Sequence, residues 1–529
     1  MEVIYHARIY TLDATTPVAS AIAIEQGRVL AVGSNFEILN GFAHRARLLD
    51  AGGGVIIPGL TDAHIHLEQY ALNRQLVDCE TPNRSECLER VAQRARSTPA
   101  GGWILGHGWN QNDWAEGFGS AEELDRVAPQ HAVFLTAKSL HAAWVNSLAL
   151  QRAAITADTP DPAGGRIGRD SAGKPNGTLY EAAIELVRRA IPAASPQERM
   201  QALRAAIAAL LEQGITCVHD FDGRECFAAL QELHRNQELK LRVVKGIPWQ
   251  DFEHAAGVGL RSGFGDLTLR VGNLKLFSDG ALGPRTAAMF QPYEGEPENL
   301  GMLLLDGEGI YEIGRKALQS GFSLAVHAIG DRANHEALNA LAQLRRDESA
   351  ISGAPPAARH RIEHVQLIHP DDAPRLAALG VVASMQPVHA VSDMPMAERY
   401  WGSRCAHAYA WRELLAHGTR LAFGSDAPVE PSNPFLGWHA ATTRRRLDGA
   451  PDPQGWHPSQ RLNRLEALQA FTIGPAYAAG WERQLGKLAP GYLADLLLLD
   501  TDPLTCSDEE LAKIKPLAVM ARGEWVYPV

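Results

Sequence analysis

The feature that most constrains this fold is a series of eight short apolar segments, most of them separated by helix-like sequence. Each segment has the length and composition of a buried β-strand. Intervening stretches such as Gln197–Glu212 and Gly309–Gln319 carry apolar residues at helical spacing. Strands alternating with helices predict an α/β fold, specifically a (β/α)8 TIM barrel. The segments are Val55–Leu60, Gly214–Asp220, Leu241–Ile247, Val271–Phe277, Phe322–His327, Arg361–Val365, Val381–Gln386 and Leu421–Ser425.

The interval between the first two segments is too long for a simple crossover. It spans about 150 residues, whereas loops in compact domains are much shorter. We therefore predict an insertion after strand 1, at residues 73–194, with helices and a few strands such as Trp103–Gly106 and Ala132–Ala137. Insertions at a barrel rim often cover a site, so we expect this subdomain to cap the substrate pocket.

Short strand-like segments separated by turns occupy both ends of the chain. Val3–Ile9 and Ala21–Glu25 lie near the start, and Asp495–Leu499 and Val519–Tyr527 lie near the end. We predict that residues 1–54 and 485–529 pair into a small composite β-sandwich. The metal-binding barrel would then comprise residues 55–72 and 195–484.

Composition and charge favour a globular protein with a small-molecule substrate. Hydrophobic residues make up 46% of the chain, and 50 Lys and Arg against 61 Asp and Glu give a net charge of −11. This acidic balance argues against nucleic-acid and anionic-membrane partners. The sequence has neither a membrane-spanning apolar stretch nor a signal-like start. The six cysteines are scattered without a CxxC motif, so we expect reduced thiols and a cytoplasmic location.

Four histidines, one lysine and one aspartate lie at or near the ends of these segments. In a barrel the carboxyl ends of parallel strands meet at one face, so we expect the six side chains to converge. His64 and His66 are two apart, and residues at that spacing on a strand point the same way. The six are His64 and His66 after segment one, Lys275 in segment four, His327 at the end of segment five, His364 in segment six and Asp426 after segment eight.

This set of side chains suits a divalent metal centre. One catalytic zinc takes about three protein ligands plus water, and the larger set here suits two ions about 3.5–4 Å apart. A charged lysine repels a metal, so Lys275 would serve only as an uncharged amine or as an anionic bridge after carboxylation by CO2. Each residue alone has a structural alternative: a core histidine, a buried ion-pair lysine, or a capping Asp426. Their joint occurrence at successive strand ends favours the metal centre.

The motifs resemble those of the metal-dependent amidohydrolase superfamily. The superfamily-level features are Pro58–His66 (Pro-Gly-Leu-Thr-Asp-Ala-His-Ile-His), the strand-four lysine, the single histidines of strands five and six, and Gly424–Pro428 (Gly-Ser-Asp-Ala-Pro). Finer motifs are similar to its YtcJ-like, amidohydrolase 3 branch, which includes N-substituted formamide deformylase. Those motifs are Gly106–Trp109, Ser139–Asn146, Gly177–Ala182, Asp279–Ala287 and Leu488–Leu496.

The resemblance implies a role for each candidate ligand. His64, His66 and Asp426 would hold the more buried ion, His327 and His364 would hold the second, and carboxylated Lys275 would bridge them. Zinc is preferred, with manganese, iron or cobalt as alternatives. Some members of the superfamily use one metal, but the full ligand set here favours two.

The implied activity is hydrolysis of a C–N bond in an amide, formamide or cyclic amide. A metal-bound hydroxide would attack the carbonyl carbon, and Asp426 would shuttle the proton to the leaving amine. Deamination, ester or lactone hydrolysis and isomerisation are alternatives at the same metals. A non-catalytic scaffold is the alternative from a different class. A substrate panel separates these functions.

Six side chains are candidates for binding a small-molecule amide. Each could instead have a purely structural role. Trp109 could pack within a core, and Arg285, which could bind a substrate carboxylate, could instead form a salt bridge within its loop. The resemblance departs at Leu140, where relatives often have glycine, so we expect the pocket wall to differ. The Trp and His content favours an apolar or aromatic amide as substrate. A homodimer is compatible with the sequence. The candidates are His107, Trp109, His141, Glu181, Arg285 and His389.

Overall fold

The structure is a computed structural model that describes residues 1–110, 114–138, 141–352 and 357–528. The chain divides into two compact units. The first comprises Met1–Tyr70 together with Leu203–Val529, and the second comprises Ala71–Ala202. The sequence analysis places its inserted region at residues 73–194, slightly inside the bounds of the second unit.

Eight parallel strands form the main sheet of the first unit, each hydrogen-bonded to the next in sequence order. Beyond the last strand, Asp426 N donates to His64 O at 2.7 Å and His66 N donates to Ala427 O at 2.9 Å, which joins it to the first. The predicted α/β barrel sheet is thereby confirmed. We number its strands β1 (Leu60–Ile65), β2 (Ile215–Asp220), β3 (Arg242–Pro248), β4 (Leu269–Phe277), β5 (Leu324–Ala328), β6 (Arg361–His364), β7 (Val382–Met385) and β8 (Leu421–Phe423).

The barrel strands are apolar because both of their faces are covered. Every residue of β1, β2, β6, β7 and β8 is buried, as expected for parallel strands between helices and a barrel interior. Leu274 and Leu276 of β4 belong to one buried cluster with Leu338 and Leu341. Successive side chains point to opposite faces, so the intervening Lys275 faces the barrel interior.

Helices follow the barrel strands and cover them. No helix in the described parts of the chain is long and apolar enough to cross a membrane. Three of these helices precede or follow the first half of the barrel: Pro196–Glu212, Arg224–Arg235 and Phe252–Gly257. The others are Gly307–Gln319, Asp331–Ser352, Ala373–Ala378, Pro387–Trp401, Trp411–Ala416, Pro434–Thr443, Arg464–Ala470, Ile473–Ala478 and Asp508–Leu511.

Both ends of the chain contribute to one six-stranded sheet. Its strands, in spatial order, are Glu524–Tyr527, Ala518–Ala521, Leu496–Leu499, Val55–Pro58, Arg8–Tyr10 and Val18–Ala19. A four-stranded sheet consists of Arg28–Gly33, Ala21–Glu25, Glu2–Tyr5 and Arg47–Asp50. Ile4 and Ile22 of the smaller sheet share a buried cluster with Ile56, Leu496 and Met520 of the larger one.

The prediction that Val55–Leu60 is a barrel strand is wrong for its first four residues. Val55–Pro58 pairs antiparallel with Leu496–Leu499 in the six-stranded sheet, and β1 begins at Leu60. Gly59 lies at the transition, where its N–H donates to Asp495 O at 2.8 Å. A Cβ at Gly59 would collide with the side chain of Thr216. Two short buried strands in succession have the same apolar pattern as one, so periodicity could not separate them.

The second unit contains a six-stranded sheet flanked by helices. Its strand Trp103–Trp109 pairs parallel with Ala132–Ala137 on one side and with Val77–Asp78 on the other. The sheet has more strands than the few that the sequence predicts. Its order is Gly165–Arg169, Pro175–Glu181, Ala142–Val145, Ala132–Ala137, Trp103–Trp109 and Val77–Asp78, and the helices are Arg84–Ser97, Ala121–Val127, Ser147–Arg152 and Ile184–Arg188.

Candidate metal centre

The turn after β8 places Asp426 beside the end of β1. The buried Asp62 side chain accepts hydrogen bonds from the backbone N–H groups of Ser425 at 2.9 Å and of His64 at 3.1 Å. Gly424 is required here because a Cβ would collide with the His64 backbone. Asp426 itself has φ 61°, a left-handed conformation that non-glycine residues rarely adopt. This turn therefore presents the Asp426 carboxylate to His64 in β1 and His66 directly after it, which we call the β1 histidines.

His64, His66 and Asp426 form a set of donors suited to one divalent ion. Their ligand atoms lie within 4.8 Å of one another. Oδ1 of Asp426 is 3.5 Å from Nε2 of His64 and 3.5 Å from Nε2 of His66. Nε2 of His64 is buried and, among the described residues, has no hydrogen-bond partner. A buried lone pair without a partner is costly, and two imidazoles with a carboxylate are a common zinc donor set, so the residues fit a metal.

Carboxylates hold the opposite ring nitrogen of both β1 histidines. Nδ1 of His64 donates to Oε2 of Glu363 at 2.6 Å, and Nδ1 of His66 donates to Oδ1 of Asp222 at 3.1 Å. A proton held at Nδ1 leaves Nε2 of each ring free to ligate a metal. Asp222 is not among the site residues predicted from the sequence. Its position two residues after β2 is a signal that could have found it.

His327 and His364 lie at the ends of the neighbouring strands β5 and β6, and their ring centroids are 4.6 Å apart. Nε2 of His327 lies 2.9 Å from Gly280 O, and Nδ1 of His364 lies 2.8 Å from Oε1 of Gln386. Donation to these oxygens leaves Nδ1 of His327 and Nε2 of His364 as the nitrogens available to a metal. The ring of His364 is also 4.9 Å from that of His64, so the two pairs of histidines are adjacent.

Lys275 lies inside the barrel between two aromatic rings. Its Nζ is 4.6 Å from the ring centroid of Phe221 and 5.0 Å from that of Phe277. Burial lowers the pKa of the amine from 10.5 to about 8, because a charged group is poorly solvated there. A lysine of this kind is uncharged far more often at neutral pH than one on the surface, and carboxylation requires the uncharged amine.

Most imidazoles of the centre are held in the neutral form that ligates metals. Burial and the nearby charge of Lys275 lower the pKa of His64 to about 4 and that of His327 to about 3. Burial also lowers the pKa of His364 well below its usual value. For His66, burial acts to lower the pKa, but the hydrogen bond to Asp222 and the charge of Asp426 outweigh it and raise the pKa. A metal would therefore compete with a proton more strongly at His66 than at the other imidazoles.

Asp426 is an anion despite its burial. Burial raises its pKa, but the hydrogen bond from His389 and the positive charge that His64, His364 and His389 carry when protonated outweigh this and hold the pKa well below 3.8. Nε2 of His389 lies 3.3 Å from Oδ2 of Asp426. Ligand atoms of His364, His389 and Asp426 also lie within 4.8 Å of one another. His389, predicted as a substrate-binding residue, thus contacts the carboxylate on the side away from His64 and His66.

A third group of possible metal ligands consists of Asp220, Asp222 and Cys226. Its carboxylates are already paired with other groups of the protein. Nζ of Lys245 pairs with Oδ2 of Asp220 at 3.0 Å. Both carboxylates accept backbone N–H groups at the start of the helix Leu67–Asn73, including that of Leu67 at 2.8 Å. These contacts satisfy the carboxylates and fix the segment that follows His66.

Arg285, predicted to bind a substrate carboxylate, is engaged within its own loop. Its guanidinium pairs with Glu296 at 2.6 Å and stacks over the ring of Tyr400 at 5.3 Å. This is the salt bridge that the sequence analysis kept as the alternative. A substrate carboxylate at this guanidinium would lie beside the negative charge of Glu296, which already pairs with Nη1.

The other four predicted substrate-binding residues belong to the second unit. Trp109 is buried in a cluster with Trp114 and Trp144, and its Nε1 donates to Leu135 O at 2.9 Å, so it packs the core of that unit. Nδ1 of His107 is 2.9 Å from Oγ1 of Thr136. His141 is exposed and pairs with Glu181 at 3.0 Å. Leu140, where the motif departs from its relatives, lies outside the described residues.

Comparisons with known proteins agree with this geometry. A sequence model of the amidohydrolase family matches residues 47–527. The chain is 31% identical to the putative amidohydrolase YtcJ of Bacillus subtilis, over 100% of this chain and 99% of that one. It is 30% identical to the N-substituted formamide deformylase of Arthrobacter pascens, over 98% and 97%. The crystal structure of an uncharacterized metal-dependent hydrolase from Pyrococcus furiosus superposes with a TM-score of 0.78 at 28% identity, over 95% of this chain and 100% of that one.

Proposed function

Because the chain belongs to the amidohydrolase family, we propose that it is a metal-dependent hydrolase that cleaves a C–N bond in a small amide, formamide or cyclic amide. The observation that carries this proposal is the convergence of His64, His66 and Asp426 at the barrel mouth, with ligand atoms within 4.8 Å of one another. The similarity to an N-substituted formamide deformylase supports a C–N bond as the target.

The chain offers donors for two ions. His64, His66 and Asp426 would hold the first. His327 and His364 would hold the second, with a carboxylated Lys275 between them. A divalent cation bound there lowers the pKa of a water molecule and polarises a carbonyl oxygen. Zinc suits the imidazole and carboxylate donors, and manganese, iron and cobalt use the same donors.

The proposed proton carrier is Asp426. Its carboxylate is ionised, with Oδ1 directed towards the two β1 histidines and Oδ2 towards His389. We assign to it the removal of a proton from the attacking water and delivery of that proton to the leaving nitrogen. His389 holds the carboxylate in place for this transfer.

The surroundings of the centre strengthen these charge interactions. The ring of Phe221 lies 4.5 Å from that of His64, and His64, His364, Lys275 and Asp426 are all buried. Fixed charges and dipoles act more strongly where water is excluded. The buried centre therefore favours a reaction in which charge develops on a carbonyl oxygen.

Other activities at the same centre, namely deamination, ester or lactone hydrolysis and isomerisation, would use the same donors. A non-catalytic scaffold would not require ionised Asp426 or neutral imidazoles, both of which this chain has. Substrate preference separates the enzymatic alternatives, and metal binding separates all of them from a scaffold.

The test is a hydrolysis screen of N-formyl, N-acyl and cyclic amides, with matched esters and amino-purines, using zinc- or manganese-loaded protein. We expect amide turnover that chelation abolishes and metal restores. A His64→Asn, His66→Asn double variant controls for contaminating hydrolases. Exclusive turnover of esters or amino-purines would replace the proposed reaction with one of the alternatives.

A further inference from the structure

An aromatic ring borders the candidate metal centre at the carboxyl end of a barrel strand. Phe277 is the last residue of β4 and lies two residues after Lys275, on the same face of the strand. Its backbone pairs with that of His327, and the two ring centroids are 5.2 Å apart. The amine of Lys275 lies 5.0 Å from the Phe277 ring, on its inner side. Phe277 therefore contacts the metal-binding side chains from the open end of the barrel.

Unlike the side chains beneath it, Phe277 is not covered. Lys275 is 3% exposed and Asn273 is 5% exposed, whereas Phe277 is 47% exposed. A half-exposed phenyl ring leaves a large apolar area in water, and covering such area is favourable. Phe277 is not needed to complete the hydrophobic core, because its neighbour Leu276 fulfils that role on the opposite face.

Further exposed apolar side chains lie next to Phe277. The backbone N–H of Leu304 donates to Ser278 O at 2.8 Å. Met302 and Leu304 are 54% and 57% exposed, while Leu303 and Leu305 pack against the core. Across the barrel, Val429 is 65% exposed and its N–H donates to Asp426 O at 2.9 Å. The segments after β4 and after β8 thus both carry exposed apolar groups beside the centre.

We infer that Phe277 forms one wall of a substrate subsite for an uncharged apolar group, aromatic or branched aliphatic, attached next to the reacting carbonyl. This inference rests on the proposed function, because it takes the reacting carbonyl to lie at the metal centre. A carbonyl held there would have a substituent within reach of the Phe277 ring, whose centroid lies 5.2 Å from that of His327. The engagement of Arg285 with Glu296 is consistent with a substrate that carries no carboxylate on this side.

The test compares the binding of two hydroxamic acids by calorimetry, using zinc-loaded protein. Benzohydroxamate and acetohydroxamate share the chelating group and differ only in a phenyl or a methyl substituent. We expect the wild type to bind benzohydroxamate more tightly, by about tenfold or more, the gain expected from covering part of two apolar rings. Phe277→Ala should remove most of this preference and leave acetohydroxamate affinity unchanged. Phe277→Leu should keep part of it.

Phe264→Ala is the matched control, because it removes the same atoms from a residue that is 60% exposed and precedes β4 at the opposite end of the strand. It should change neither affinity. Zinc content and thermal melting show whether each variant is folded. Equal binding of the two acids by the wild type, no binding of benzohydroxamate, or an unchanged preference in folded Phe277→Ala and Phe277→Leu would each overturn the inference. A Phe277-dependent preference without hydrolysis of any amide would leave the subsite standing and overturn the proposed reaction.

Discussion

Nδ1 of His64 lies 2.6 Å from Oε2 of Glu363, and both side chains are buried. Glu363 is in turn paired with Arg361, whose guanidinium also donates to Ala63 O at 2.7 Å. The charge of Arg361 holds the pKa of Glu363 well below its usual value, although burial acts to raise it. Glu363 is therefore an anion that fixes the tautomer of His64 and increases the electron density at Nε2.

Replacing Glu363 by glutamine removes the negative charge but keeps the shape of the side chain, and it should weaken metal binding. We expect Glu363→Gln to lower zinc affinity by about 10–100-fold, the usual effect of losing such a partner. Competition with a chromogenic chelator measures the affinity, and thermal melting reports on folding. Glu466→Gln is the control, since Glu466 pairs with Arg412 away from the centre. Unchanged zinc affinity in folded Glu363→Gln would show that Glu363 does not support a ligand.

Asp426→Asn should separate catalysis from metal binding. Asparagine keeps the shape of the side chain and can still offer an oxygen, but it cannot accept the proton of the attacking water. We expect zinc to remain bound and kcat to fall by about 10²–10⁴-fold. Asp371→Asn, on a carboxylate that is 92% exposed, should have no effect. Hydrolysis by Asp426→Asn at a near-normal rate would exclude Asp426 as the proton carrier.

His389→Gln tests whether this histidine positions Asp426. Because His389 contacts only the Oδ2 side of the carboxylate, we expect the ion at His64 and His66 to stay bound while kcat falls by about tenfold or more and KM changes little. His64→Asn should instead lose that ion. A large loss of zinc from His389→Gln, with His64→Asn unaffected, would contradict these assignments.

The pKa of Lys275 predicts how metal-free protein responds to alkali. Its folded value is about 8 against a usual 10.5. As pH rises, the folded chain releases this proton first, so the unfolded chain binds more protons between those values and stability increases with pH. The free energy of unfolding increases by at most about 3 kcal/mol, and the full increase is reached above pH 10.5. Lys275→Met should lack this rise in urea unfolding, whereas Lys240→Met, on an exposed lysine, should retain it. A rise of equal size in Lys275→Met would show that other groups cause it.

A buried ion pair links the barrel to the returning C-terminal segment. The guanidinium of Arg242 in β3 lies 2.6 Å from Oδ2 of Asp495, and both side chains are 1% exposed. Asp495→Ala leaves the buried Arg242 charge without a partner, which should lower the free energy of unfolding by about 3–5 kcal/mol. The exposed Asp500→Ala should change it little. A loss below about 1 kcal/mol for Asp495→Ala would mean that Arg242 finds another partner or water.

The barrel and the convergence of His64, His66 and Asp426 were accessible from the sequence. Parallel strands of a barrel bring their carboxyl ends to one face, so residues after β1 and β8 become neighbours although they are far apart in the chain. The pattern of a strand is less informative about which sheet it joins. Val55–Pro58 is as apolar as a barrel strand, and only its pairing with Leu496–Leu499 shows that it belongs elsewhere.

The partners that orient the ligands were largely inaccessible from the sequence. The position of Glu363 beside His364 marks it as a candidate orienting residue, but its partner His64 is 299 positions away and is not indicated by the sequence. Asp222 has no distinctive motif around it. Nor does a motif tell whether a tryptophan packs a core or faces a ligand. Trp109 is predicted from its Gly-His-Gly-Trp context to bind substrate, yet it is buried against Trp114. Local sequence reports residue types, whereas these contacts depend on tertiary packing.

Metal analysis of the purified, zinc-reconstituted protein is the decisive test of the metal centre. We expect about two equivalents of divalent metal per chain, with one equivalent or fewer after His64→Asn. We also expect activity to track metal content. Protein that binds no divalent metal, and whose activity neither zinc nor manganese restores, would contradict the assignment of His64, His66 and Asp426 as a metal centre.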